Sequence, residues 1–253
     1  MNIFLLVLGV LAGIMSGLFG IGGGVVIVPS LIMFFGMGII QANATSLAAL
    51  LLPVGILGVM QYYKAGLINI RVSVLITIGL LLGSGIGAEF AVHVQAKVLS
   101  FLYCAFLLYI SYTFFEVKTW FKQKEKVEPK VRKEFKSIMP YLLVGFFAGI
   151  IAGLFGKGGG IVIVPILIGL FHYNAREATA TSLAALQLPV GLPGVMVYAH
   201  NGVLSLLFAG LIGAGIVIGT FFGTKIAIQL PSKIFKRAYA VFLLAVAVFL
   251  IVK

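Results

Sequence analysis

The stretch Gly17–Pro29, GLFGIGGGVVIVP, returns at Gly153–Pro165 as GLFGKGGGIVIVP, and the offset of 136 residues holds without a gap. Thr45–Met60, TSLAALLLPVGILGVM, returns as Thr181–Met196, TSLAALQLPVGLPGVM, with 13 of 16 positions identical. Further along, Gly66 matches Gly202, Gly83 matches Gly219, Gly87 matches Gly223 and Lys97 matches Lys233. A repeat of this length defines the organisation of the chain before any element is assigned. The halves are 1–116 and 137–253, joined by a charged linker over 117–136.

Composition sets the environment. The chain of 253 residues is 62% hydrophobic and 9% charged, with a mean hydropathy of +1.21. A soluble domain of this size leaves a large wetted shell, so the excess apolar surface must face hydrocarbon. Uncharged stretches near the roughly 20 residues needed for a span recur along most of the chain. The net charge of +12 does not point to nucleic acid, because eight of the 18 basic residues lie in Lys118–Lys136 and four more in Lys225–Arg237. Basic residues gathered in one loop and at segment ends follow the positive-inside rule. The single cysteine, Cys104, lies in an apolar run and excludes an internal disulfide or a multi-cysteine metal site. The start, MNIFLLVLGV, lacks a basic n-region and reads as a first helix rather than a cleavable signal.

These features predict an all-α polytopic membrane protein of 8–10 segments whose helices are broken by Gly and Pro. Each half predicts segments equivalent to 3–16, 25–38, 42–63, 70–93 and 98–115, with Pro53 inside the third. The basic residues also give an orientation. With the linker in the cytoplasm, parallel halves place eleven Lys/Arg inside and six outside, whereas inverted halves place fifteen inside and two outside, with Lys157 intramembrane. Inverted repeats with interrupted helices are a recurring build of secondary transporters, whose sites lie near the midplane between the repeats.

Chemistry concentrates in two constellations. The turns Gly22-Gly23-Gly24 and Gly158-Gly159-Gly160 expose backbone N–H groups and precede helices whose positive ends attract anions. Glycines in membranes also serve close helix packing. Lys157 stands where the first half has Ile21. A lysine within a bilayer costs at least about 2.5 kcal/mol, which points to function; pairing with Glu89 and snorkelling are its alternatives. Asn43, Thr45 and Ser46, with Thr179, Thr181 and Ser182, offer hydroxyl and amide groups that either cap helix starts or bind an oxyanion. Gln187 replaces Leu51 in the second half only. Pro53 and Pro189, with Pro193, interrupt the third segments and predict hinges. Glu89 reads as a helix-end charge or a proton-coupling carboxylate, and the histidines as interfacial. Tyr62, Tyr63 and Trp120 suit the interfacial belt.

The duplicated GLFGIGGGVVIVP and NATSLAALLLPVGILG, with their partners GLFGKGGGIVIVP and TATSLAALQLPVGLPG, resemble the TauE/SafE sulfite-exporter family of permeases. The resemblance covers both halves and omits the linker. It implies a permease of the cell membrane for small sulfur-containing anions, such as sulfite or organosulfonates. Alternating access about a midplane site is expected, with no cofactor and no enzymatic activity; an anion channel of the same architecture is the rival. The expected partners are the substrate and the lipid bilayer, not nucleic acid, with homo-oligomerisation and proton coupling left open. A membrane-embedded enzyme would need intramembrane carboxylates, histidines or an activated nucleophile, and the chain has no Asp at all.

Overall fold

A computed structural model of the chain describes residues 2–53, 55–99, 137–156 and 159–230, together with the isolated positions 101, 102, 105, 108, 241 and 244. The charged linker, Cys104, Trp120, Lys157, Gly158 and most of the last predicted segment of each half lie outside the described residues.

The described residues are helical, as the composition predicts. The first half contributes α1 (Asn2–Phe19), α2 (Gly24–Phe35), α3 (Ile39–Ala49), α4 (Ile56–Lys64) and α5 (Ile70–His93). The second contributes α6 (Met139–Phe155), α7 (Gly160–Gly169), α8 (Ala175–Ala185), α9 (Leu192–His200) and α10 (Leu206–Gln229). Every boundary of α3 to α5 recurs 136 residues later in α8 to α10. Among the described residues three helices, α1, α5 and α10, are long and apolar enough to cross a bilayer. The protein is a multi-pass integral membrane protein.

The segment expected at 25–38 is a helix of 12 residues, about 18 Å at 1.5 Å per residue. Alone it is too short for the roughly 30 Å hydrocarbon core. The segment expected at 42–63 divides into α3 and α4 around residues 50–55, where Pro53 denies the backbone a donor. Pro189 sits in the matching break between α8 and α9, whereas Pro193 lies in the first turn of α9.

The long helices pair across the halves. α1 packs on α10, and α5 packs on α6. Glycines line both seams. A Cβ added at Gly9 would stand 3.0 Å from Gly215 Cα, and one at Gly13 would stand 2.9 Å from Gly219 Cα. In the other seam a Cβ at Gly149 would stand 3.0 Å from Gly83 Cα. Contacts advance in the same direction along both members of each pair, so α1 and α10 run parallel, as do α5 and α6. Small residues permit this backbone approach, which van der Waals packing then stabilises in lipid.

The broken helices follow the same exchange. α3 and α4 pack on α10, while α8 and α9 pack on α5. The packing units are therefore two bundles that each borrow one long helix from the other half. The first holds α1 to α4 with α10; the second holds α6 to α9 with α5. Arg176 at the start of α8 ties the bundles together, donating from both Nε and a terminal nitrogen to Leu230 O at 3.0 and 2.6 Å. Its counterpart Ile40 cannot make that link.

A side chain larger than hydrogen has no room in these seams. Gly83→Val places its Cβ 2.8 Å from Ile150 N, and we expect a loss of roughly 3 kcal/mol or more from overpacking. Gly210→Ala is the control, because a Cβ there meets nothing within 4 Å. Thermal unfolding in detergent should show a collapsed Gly83→Val and an unchanged or slightly stabilised Gly210→Ala.

Candidate functional site

Each Gly-rich turn is built for close approach. Gly20, Gly22 and Gly23 have φ of 68, 78 and 83°, a left-handed run that residues with a Cβ adopt rarely. In the second half Gly156 takes φ 63°. Gly20 nests against Thr179, where an added Cβ would stand 3.0 Å from Thr179 Cα, and Gly156 nests against Asn43, the residue matching Thr179. The turns also meet each other: a Cβ on Gly160 would lie 2.7 Å from Ile21 Cα. The two turns are thus in direct backbone contact at the centre of the molecule.

The Asn/Thr/Ser constellation stands behind this contact. Asn43, Thr45 and Ser46 lie inside α3, whose N-cap is Gly38, and Thr179, Thr181 and Ser182 lie inside α8, whose N-cap is Asn174. None of them caps a helix start, so the capping alternative is excluded. All six are buried. Ser182 Oγ donates to Gly20 O at 2.9 Å, and Asn43 Nδ2 donates to Leu154 O at 3.0 Å. Each bond joins one half's helix to the turn region of the other. Thr181 Oγ1 accepts from Asn69 N at 3.2 Å. Thr45, Ser46 and Thr179 leave their buried hydroxyls unpaired.

Beside the turns is a cavity of about 20 Å³, room for a single water. Its lining includes the matched pairs Leu47 and Leu183, Leu50 and Leu186, Gly55 and Gly191, and Ser16 and Ala152. The cavity therefore straddles the pseudo-symmetry axis between the halves. Of the residues singled out in the sequence, Gly22 and Gln187 line it, while Gly23, Gly24, Gly159 and Gly160 form the adjoining helix starts. Pro53 and Pro189 lie in the breaks that bring Gly55, Val190 and Gly191 to the wall.

The electrostatics come mainly from backbone. α2, α4, α7 and α9 begin at Gly23, Gly55, Gly159 and Gly191, and no side chain caps any of them. Gly55 and Gly191 are on the cavity wall, and Gly22 precedes the start of α2 there. Uncapped N–H groups and the positive ends of helix dipoles are thereby gathered at one point. The same breaks also bring the carbonyl ends of α3 and α8 close, since Leu50 and Leu186 are their C-caps. No charged side chain lines the cavity among the described residues.

Several residues escaped the sequence reading. Ser16, fully buried and unpaired, is the hydroxyl contributed by α1. Ser84 lines the wall and donates to Val190 O at 2.8 Å, holding the second break against α5. Tyr62 is not interfacial: it is 0% exposed, and its hydroxyl donates to Gly17 O at 2.8 Å. Tyr198 does the same to Gly153 O at 2.7 Å. The match of Tyr62 to Tyr198 at the repeat offset was the available signal. Tyr63 is exposed, as a belt residue should be. Glu89 is not deep in protein; it lies on the outer face of the last turn of α5, 3.6 Å from His93 Nδ1, with its side chain 60% exposed. It lines a separate outer pocket with Gly85, Ile86, Phe90 and His93, away from the central cavity.

Interrupted helices gathered around a buried cavity in a multi-pass bundle define a membrane transporter. Comparison with known proteins agrees: residues 5–250 match the family described as sulfite exporter TauE/SafE, and the chain belongs to it. A protein of Methanocaldococcus jannaschii named "probable membrane transporter protein" is 30% identical over 242 residues, covering 90% of this chain and 87% of its own. The similarly named YunE of Bacillus subtilis is 28% identical over 256 residues, covering 91% and 89%. YdhB of the same organism is 24% identical over 229 residues, covering 90% and 91%. No solved structure matches the chain significantly.

The two tyrosine clamps make independent, equivalent contributions. Tyr62→Phe and Tyr198→Phe should each cost about 1 kcal/mol, the net worth of one buried hydrogen bond. Because the clamps sit in different bundles, the double variant should lose the sum. Denaturation of the purified protein in detergent measures all three.

Proposed function

We propose that the protein is a permease for small sulfur-containing anions, such as sulfite or organosulfonates, which bind at the central cavity between the halves. The observation that carries this reading is the convergence of the uncapped, glycine-started α2, α4 and α9 on one buried cavity. Helix starts of this kind bind oxyanions without a fixed cation. The family description supplies the sulfur chemistry; the names of the relatives say only that they are membrane transporters.

In this reading Gly22, Gly55 and Gly191 let the anion approach backbone N–H groups, and Ser16 supplies a hydroxyl. Lys157, next to the second turn in sequence, supplies the charge that Ile21 cannot. Thr45 and Ser46, unpaired just behind the turn contact, become donors when the turns part. A four- or five-atom oxyanion exceeds the present cavity, so binding requires the turns or the breaks to open.

The moving bodies are best taken as the two bundles rather than the two halves of the sequence. Rocking half against half would tear both glycine seams, whereas rocking bundle against bundle leaves them whole. The breaks at Pro53 and Pro189 then bend. The inverted orientation, in which fifteen basic residues lie on the cytoplasmic side, sets the cavity at mid-membrane and exposes it alternately to each face.

Counterflow in proteoliposomes tests the reading. Saturable exchange of labelled sulfite and a small sulfonate, without chloride or phosphate exchange, is the expected result. Unitary currents carried by chloride would instead mark an anion channel. Lys157→Ala should raise the half-saturating sulfite concentration about tenfold, as loss of one charged hydrogen bond does; an unchanged value removes Lys157 from the site.

A further inference from the structure

The central cavity is not equally furnished on its two sides. Position 51 is leucine in the first half, and its match is Gln187. The orientation of this amide is fixed by its surroundings. Gln187 Nε2 donates to Leu183 O at 2.8 Å, one helical turn back. The same nitrogen rests on Gly55, whose lack of a Cβ makes the room. Turning the amide over would set its oxygen against the carbonyl of Leu183, two acceptors face to face. Gln187 Oε1 is therefore the amide atom left without a partner, buried beside the cavity that the residue lines. Opposite it in character is Ser16, fully buried with an unpaired hydroxyl that can donate or accept.

An anion made only of acceptors satisfies the helix starts and Ser16 but leaves Gln187 Oε1 facing its own negative oxygens. We propose that Gln187 is a specificity-determining residue that selects sulfur oxyanions carrying their own hydrogen-bond donor, an O–H or N–H group, over those that carry none. Hydrogen sulfite and hydroxy- or aminosulfonates fall in this class. The anionic oxygens take the N–H groups of the helix starts and the Ser16 hydroxyl, and the ligand's donor takes Gln187 Oε1. The inference rests on the anion site proposed above and adds polarity to it: donors from backbone on one side, one acceptor from a side chain on the other. A buried polar group discriminates strongly because a ligand lacking the complementary group leaves it unpaired.

The test compares two sulfonates of equal length, 2-hydroxyethanesulfonate and 1-propanesulfonate, in which a hydroxyl replaces a methyl. Half-saturating concentrations are measured by counterflow, and binding to the detergent-purified protein is measured separately by the shift in melting temperature. Wild type should favour the hydroxysulfonate by about tenfold, the worth of one buried hydrogen bond with its unpaired penalty. Gln187→Leu, which installs the residue found at position 51, should keep the fold and bring the ratio close to one, chiefly by weakening the hydroxysulfonate. Ser16→Ala should weaken both sulfonates by the same factor and leave the ratio intact. Equal preference in wild type, or a ratio that Gln187→Leu does not move while both sulfonates still bind, overturns the role of Gln187 alone. Absence of binding and exchange for both in wild type overturns the anion site together with this inference.

Discussion

Backbone-to-backbone contact between helices from opposite halves is the constraint on which the rest of this structure depends. In lipid no hydrophobic gain draws one apolar helix to another, so association rests on close packing. Gly9, Gly13 and Gly17 facing Gly215, Gly219 and Gly223 bring α1 and α10 together, and the second seam repeats the device with Gly79, Gly83 and Gly87. Because each seam joins a first helix of one half to a fifth helix of the other, neither half can complete its bundle alone. The exchange also fixes where function can reside. With the long helices held in seams, the short ones complete each bundle, and their breaks meet at the cavity between the halves.

Much of this was legible in the sequence because glycine and proline state their purposes locally. The repeat, the Gly-rich turns and the breaks at Pro53 and Pro189 are all written as residues that cannot propagate a helix cheaply. The partner of each seam was not legible, since Gly83 and Gly219 match one another by repeat yet pack on Gly149 and Val10 respectively. A repeat shows that two positions are equivalent; it does not show whether they touch. The same blindness misplaced Tyr62, whose ring reads as interfacial until α1 is seen to offer Gly17 O. Glu89, which reads as a helix-end charge, stands exposed in the last turn of α5, for a helix facing lipid is apolar around an exposed residue as readily as around a buried one. At the site, Gln187 was visible as a broken symmetry, whereas Ser16 was not, because one hydroxyl in an apolar helix ordinarily bonds back to its own backbone.

On the proposed reading, the described wall of the cavity draws an anion with helix starts rather than with a charged side chain. A fixed cation in hydrocarbon costs several kcal/mol when the substrate is away. Helix starts carry about half a charge each, and their N–H groups belong to peptide units already inserted. Glycine is needed there twice over, to turn the chain and to leave the N–H groups uncovered. The charge at Lys157, adjacent to one turn in sequence, has no counterpart at Ile21, and Gln187 has none at Leu51. The repeated motifs give the protein its architecture, but a symmetric site would present the same groups to both ends of a ligand. Two of the substitutions that separate the halves, Lys157 for Ile21 and Gln187 for Leu51, fall at the turn and at the break, where the proposed site needs to tell one end of an anion from the other.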